Sequence, residues 1–211
     1  MQHILCKRIH FETIESTHLY AYAMPCNSHF TIVTAKHQTN GVGQYSNTFP
    51  DTNGSLLFSC NIPKSLILQP KHLLDPSCLV IHVFQLLIDM LKDMLKDMLD
   101  CTANSDRARK SNNIPFNEFS RSNMAKAITI KKPNDLYIFG KKCGGALTVV
   151  KENSIILSFG INIESAPSLP ENTPYRATYI NKYLRVPISI YSTQCMIESA
   201  ICSIFDIQIF S

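Results

Sequence analysis

The sequence predicts an α+β fold in which a mixed, largely antiparallel sheet is flanked by helices. Three observations predict it. Short apolar or alternating segments follow one another with tight turns between them, the mark of antiparallel pairing. Two longer stretches, residues 76–99 and the last twenty residues, carry apolar side chains at three- and four-residue spacing. Finally, 211 residues that are 45% hydrophobic and only 17% charged suffice for the core of one sizeable domain, with helices expected to one side of the sheet.

The elements follow in order. Arg8–Ile14 alternates as a strand, and Ser16 and Thr17 stand at the N-cap of a helix begun by Leu19–Ala23. Phe30–Ala35 and Ser55–Ile62 are the next strands, separated by the polar stretch His37–Gly54, long enough to mark function or mobility. Residues 76–99 read as one helix whose second half repeats Asp-Met-Leu-Lys. A four-residue period drifts by about 40° per repeat on a 3.6-residue helix, so the Met/Leu stripe winds around it and reads as a lengthened core helix rather than a partner-binding face. Residues 101–124 have the composition of a polar insertion. Ala127–Ile130 resumes the sheet, Leu136–Phe139 and Ala146–Val150 form a hairpin through Gly140, and Ile155–Ile163 follows a turn at Glu152–Ser154. Met196, Ile197, Ala200, Ile201, Ile204 and Phe205 mark the buried face of the last helix.

Composition excludes several classes. The net charge of +4 is mild and the basic residues are scattered, so nothing recommends a nucleic-acid partner. Met1–Glu12 lacks the apolar segment of a signal peptide, and the most apolar run, Cys78–Ile88, is too short to span a bilayer, so a cytoplasmic protein without membrane contact is expected. The eight cysteines are dispersed without a CxxC and read as free thiols; the seven histidines show no HxxxH or HExxH, so no metal site is expected.

Chemistry is sought where the seven glycines gather, in windows 41–54 and 140–160. Before the second window lies Lys131-Lys132-Pro133-Asn134-Asp135. Pro133 holds Lys132 toward extended geometry, so the two lysines should point to opposite sides, one toward a cleft and one toward solvent. By themselves they read equally as solvated lysines at a strand end, Ser16 reads as a simple N-cap, and Gly-Val-Gly at 41–43 as an ordinary turn.

Taken together the motifs are specific. Ile130-Lys-Lys-Pro-Asn-Asp-Leu-Tyr137, Gly140-Lys-Lys-Cys-Gly-Gly-Ala-Leu147 and Phe159-Gly-Ile-Asn-Ile163 resemble the KWPND, KLAGIL and GIGINV signature of biotin protein ligases. Glu15-Ser-Thr17, Ala35-Lys-His-Gln-Thr-Asn-Gly-Val-Gly-Gln44 and Asn53-Gly-Ser-Leu-Leu-Phe-Ser59 resemble that family's first-helix, biotin-loop and following-strand motifs, in the same order. The resemblance implies a catalytic domain related to class II aminoacyl-tRNA synthetases. The implied reaction activates biotin with ATP and Mg2+ as biotinyl-5′-AMP, then transfers biotin to a lysine of the biotin carboxyl carrier domain of a carboxylase. It further implies one catalytic domain over 1–211, with neither a helix-turn-helix domain nor a C-terminal SH3-like barrel, as a monomer or weak homodimer. Alternatives are a lipoate or octanoate ligase or transferase on the same fold, and a non-catalytic biotin-binding module.

Residue by residue, the resemblance makes Lys131 the catalytic lysine, contacting both biotin and nucleotide. Ser16, Thr17 and His18 would meet the ring end of biotin, the loop residues Gln38, Gly41, Val42, Gly43 and Gln44 would wrap it, and Gly144 and Gly145 would lie against it. Asn134 and Asn162 would join Lys131 at the nucleotide. The chain departs from the pattern at Val42 and Gln44, where arginines are common, at Phe49 and Lys132, where tryptophan is usual, and at Ser158, which replaces a glycine.

Overall fold

The computed structural model describes residues 2–25, 29–44, 48–50, 52–67, 75–102, 127–184 and 186–210. Eight strands form one sheet: β1 (Gln2–Ile14), β2 (Phe30–Gln38), β3 (Ser55–Pro63), β4 (Ile128–Lys131), β5 (Asp135–Ile138), β6 (Lys141–Val150), β7 (Ser154–Asn162) and β8 (Ile207–Phe210). Their spatial order is β4-β5-β6-β7-β3-β2-β1-β8. All pairings are antiparallel except the two made by β1, whose Gln2–Leu5 half runs parallel to β8 and whose Cys6–Ile14 half runs parallel to β2. The mixed, largely antiparallel sheet expected from the sequence is therefore the observed one. The opening strand begins earlier than the alternation at Arg8 suggests, and β8 is an addition beyond the last helix.

Among the described residues three α-helices flank the sheet: α1 (Thr17–Ala23), α2 (Pro76–Thr102) and α3 (Ile190–Phe205). The main core lies between one sheet face and α2 with α3. Leu79, Val80, Val83, Phe84, Leu87, Ile88 and Leu91 form the buried stripe of α2 at helical spacing, and Ile197, Ala200, Ile201 and Phe205 do the same on α3. Side-chain alternation along β2 and β7 separates the faces: Ile32, Leu157 and Phe159 enter this core, whereas Val33 and Ile156 pack on Ala21 of α1. Helices on one side only was the expectation, and α1 overturns it. It is too short for its own apolar stripe to reveal a side, and it lies on the second face, against Val33 and Ile156. Most of the 101–124 insertion, and the side chains of the later Asp-Met-Leu-Lys repeats, fall outside the described residues.

The β5–β6 turn is the two-residue loop Phe139-Gly140, with φ of 46° and 70°. Both central residues at positive φ are what a type I′ hairpin requires, and the non-glycine member packs its ring 5.2 Å from that of Tyr183. Among the described residues no helix is long and apolar enough to cross a membrane.

Candidate active site

On the face left open beside α1, cross-strand register aligns one row of residues from β4 to β2: Lys131, Asp135, Gly145, Gly160, Leu57 and Ala35. Two adjacent members, Gly145 and Gly160, have no side chain, so the row sinks into a trough. The cleft above it measures about 530 Å³, within the range of small-molecule sites. It reaches from β2 to β5, roughly 19 Å at the usual strand spacing.

The β2 end is neutral and hydrogen-bonding. Ser16 caps α1, its Oγ accepting from the Leu19 N–H at 3.4 Å. The N–H and hydroxyl of Thr17 both donate to Gln38 Oε1 (2.7 and 3.0 Å), and the buried Ser59 hydroxyl donates to Thr17 Oγ1 (2.9 Å). A backbone N–H cannot accept, so this clamp fixes the orientation of the Gln38 amide and leaves its Nε2 hydrogens as donors. His18 Nδ1 stands 2.9 Å from Ser158 Oγ, and burial lowers the pKa of the imidazole. The serine in the glycine position of the GIGINV pattern thus gains a partner that the sequence did not announce.

The loop closes over the middle. Val42 bridges Thr48, and the Phe49 N–H donates to the Gly41 carbonyl at 2.8 Å. The Phe49 ring lies over Gly160, where a Cβ would come within 2.6 Å of Phe49 Cζ. Only glycine allows that approach.

The β5 end is charged. Lys132, Asp135 and Lys142 all line it. Lys142 Nζ lies 2.7 Å from Asp135 Oδ1 and 5.1 Å from the centroid of the Tyr175 ring.

The structure brings together all but two of the residues singled out from sequence: Ser16, Thr17, His18, Gln38, Val42, Gly43, Gln44, Asn134, Gly144, Gly145 and Asn162 border the cleft. Gly41 is buried behind the loop, where a side chain would meet the Phe49 carbonyl at 2.7 Å and Gln38 Nε2 at 2.9 Å; it permits the loop to fold back rather than touching the cleft. Lys131 is exposed, on the cleft face by register, with its ammonium 5.6 Å above the Tyr137 ring instead of on the cleft wall. Of the two lysines, then, it is Lys132 that borders the cleft. Gly144 points toward the Gly160 carbonyl and Ile161 on β7, so close strand packing is its part. The amides of Asn134 and Asn162 hold the frame. Asn134 Nδ2 donates to the Ala146 carbonyl (2.6 Å), while Asn162 accepts from Ser55 Oγ (3.1 Å) and donates to the Thr178 carbonyl (3.0 Å).

Sequence reasoning did not select Asp135 or Lys142, although both lie in quoted motifs. Nor did it select Thr173, Pro174 and Tyr175, which border the charged end from a segment without a chemical pattern.

Residues 11–164, most of the chain, match the Biotin/lipoate A/B protein ligase family. The chain belongs to that family. No curated relative matches the sequence. The fold of this family member is similar to that of the biotin protein ligase from Leishmania major in complex with biotinyl-5-AMP (TM-score 0.68, 21% identity, 95% of this chain and 75% of that chain). It is also similar to the biotin protein ligase from Aquifex aeolicus in complex with biotin and ATP (TM-score 0.59, 18% identity, 95% of this chain and 70% of that chain). At these identities the likeness is one of fold.

Proposed function

We propose that this member of the ligase family is an ATP-dependent biotin protein ligase, acting in the cytoplasm on the biotin carboxyl carrier domain of a carboxylase. The observation that carries the reading is the clamp at the β2 end. A bicyclic urea presents a carbonyl to the Gln38 Nε2 donors and N–H groups to neighbouring oxygens, whereas a dithiolane offers nothing to these half-buried polar groups, which favours biotin over lipoate.

A bound biotin would place its ring at Thr17 and Gln38 and its valeryl chain along the glycine trough, with its carboxylate toward β5. There a carboxylate oxygen attacks the α-phosphorus of ATP and pyrophosphate departs, forming the acyl phosphate anhydride. The neutral amine of the acceptor lysine then attacks the acyl carbon, AMP departs, and the amine loses a proton. The enzyme's part is alignment and charge stabilisation. Lys131, at the β4 end of the trough row, is the proposed catalytic lysine: turned from Tyr137 toward the row, its ammonium reaches the carboxylate and phosphate. Val42, Gly43 and Gln44 wrap the chain.

Asp135 is the only carboxylate among the described lining residues, and it is paired with Lys142, while no group of three His, Cys, Asp or Glu gathers among the described residues. This donor set builds no protein cage for Mg2+, which belongs here as the counter-ion of ATP, and no step is assigned to it.

The test incubates the protein with biotin, MgATP and a carrier domain and reads the carrier by streptavidin blot. Biotinylated carrier is expected, with adenylate formation strongly reduced in Lys131→Ala. An unlabelled carrier, or a thermal shift with lipoate exceeding that with biotin, refutes the reading.

A further inference from the structure

We infer that Lys132 is the cation that holds the phosphates of the nucleotide in this chain, taking over the charge that the biotin loop lacks. The inference rests on the ligase reading of the cleft. The sequence removes two positive charges from the loop, with Val42 and Gln44 at positions where the family pattern commonly has arginine, and adds one at Lys132, where that pattern usually has tryptophan. Neither observation alone says where the new lysine lies. The structure does: Lys132 is the first residue of the β4–β5 turn and borders the cleft, while its neighbour Lys131 lies over Tyr137.

The charges around that end single it out further. Asp135 and Lys142 neutralise one another at 2.7 Å, and His18 is at the far end with its pKa lowered by burial. Among the described residues Lys132 has no carboxylate partner, so it leaves the β5 end with an uncompensated positive charge. The β2 end offers only neutral hydrogen-bonding groups. A ligand with one neutral polar end and one polyanionic end is therefore bound in a single sense, with its phosphates at Lys132. Lysine suits this because its ammonium is a compact point charge on a flexible stem, able to follow the phosphates as the α-phosphorus is attacked. Lys131 and Lys132 then divide the work: one meets the reacting carboxylate and phosphate, the other holds the nucleotide.

The test measures ATP and biotin binding separately by calorimetry, and pyrophosphate release under steady-state conditions, for the wild type and for Lys132→Ala, Lys132→Gln, Lys132→Trp and Lys132→Arg, with thermal melts to establish folding. The first three are expected to bind ATP about tenfold more weakly and to raise the ATP KM to match. Biotin affinity should stay within about twofold, and the arginine variant should recover most of the loss. ATP binding of the wild type should weaken with salt more steeply than that of Lys132→Gln. ATP affinity unchanged in the neutral variants overturns the inference, as does an equal loss of biotin and ATP affinity, which would mark a structural role. A wild type that binds ATP but releases no pyrophosphate with biotin defeats the ligase reading alone, because the ATP affinities still decide Lys132. A wild type that binds no ATP defeats both.

Discussion

Replacing Thr17 by valine separates the two jobs of the hydrogen-bond clamp at the β2 end. The substitution keeps volume and removes one hydroxyl that donates to Gln38 Oε1 at 3.0 Å and accepts from Ser59 Oγ at 2.9 Å. Gln38 keeps its stronger anchor, the Thr17 N–H at 2.7 Å, so its amide stays oriented. Ser59, at 0% exposure, loses the partner its hydroxyl has in the wild type. Leaving a buried hydroxyl unsatisfied costs about 1–3 kcal/mol. For a chain of this size that lowers Tm by roughly 3–9 °C, at about 3 °C per kcal/mol. Removing the orphan as well, in Thr17→Val with Ser59→Ala, should recover part of the loss, so a double-mutant cycle on urea-unfolding free energies gives non-additivity of about 1 kcal/mol. The functional consequence differs from the stability one: biotin should bind Thr17→Val only a few-fold more weakly, and Gln38→Ala at least tenfold more weakly, because only the second removes the urea-facing donors. Strict additivity in the cycle would refute the energetic reasoning, and equal biotin losses in the two single variants would refute the assignment of Gln38 as the reader.

Three further outcomes follow from the same geometry. Gly160→Val should leave Tm nearly unchanged, since a β-branched residue suits a central strand, yet weaken biotin at least tenfold in calorimetry, because even a Cβ would stand 2.6 Å from Phe49 Cζ and displace the loop. His18 has its pKa lowered by burial, so the unfolded chain binds its proton more readily; its stabilising contribution is complete above about pH 6.5 and is lost as the pH falls below that value. Thermal melts from pH 7.5 to 5.5 should therefore fall less steeply in His18→Gln than in the wild type. Finally, Lys142→Met should raise the ATP KM by leaving the Asp135 carboxylate to repel phosphate, while Asp135→Asn, which frees a cation, should hold or lower it; the opposite order in a pyrophosphate-release assay would show that the 2.7 Å pair serves the frame and not the ligand.

The sequence disclosed those parts of the fold that rest on period and punctuation. The hairpin around Gly140 was readable because a glycine between two apolar runs has few other uses, and the stripe ending at Phe205 because six apolar residues share one helical face. The side of the sheet taken by α1 was not. A seven-residue helix whose buried residues are only Thr17 and Ala21 carries no directional pattern, and its side follows from what β2, β3 and β7 present to it. Strand β8 is four residues long and follows directly on a helix, so only its pairing with the first residues of β1 gives it a period to be recognised by.

In the site, sequence motifs named the residues that meet in the cleft and often missed what each does there. Motif spacing reports which residues come together, whereas the direction of a side chain depends on register and on its neighbours. Gly145 and Gly160 make the trough because the β6–β7 register sets them side by side, which neither motif contains alone. Ser158 is a departure from the pattern when read as a letter, yet in space it is half of a contact with His18, 140 residues away in sequence. The lysine pair shows the limit most clearly. Alternation at Pro133 required one lysine to face the cleft, and resemblance assigned the chemistry to Lys131; register sets Lys131 on the cleft face, yet of the two residues it is Lys132 that borders the cleft. On the proposed division of work the two lysines serve different parts of one anionic ligand. The register that ends the glycine row at Lys131 and the turn that carries Lys132 at the edge of the cleft supply the two positions such a division needs.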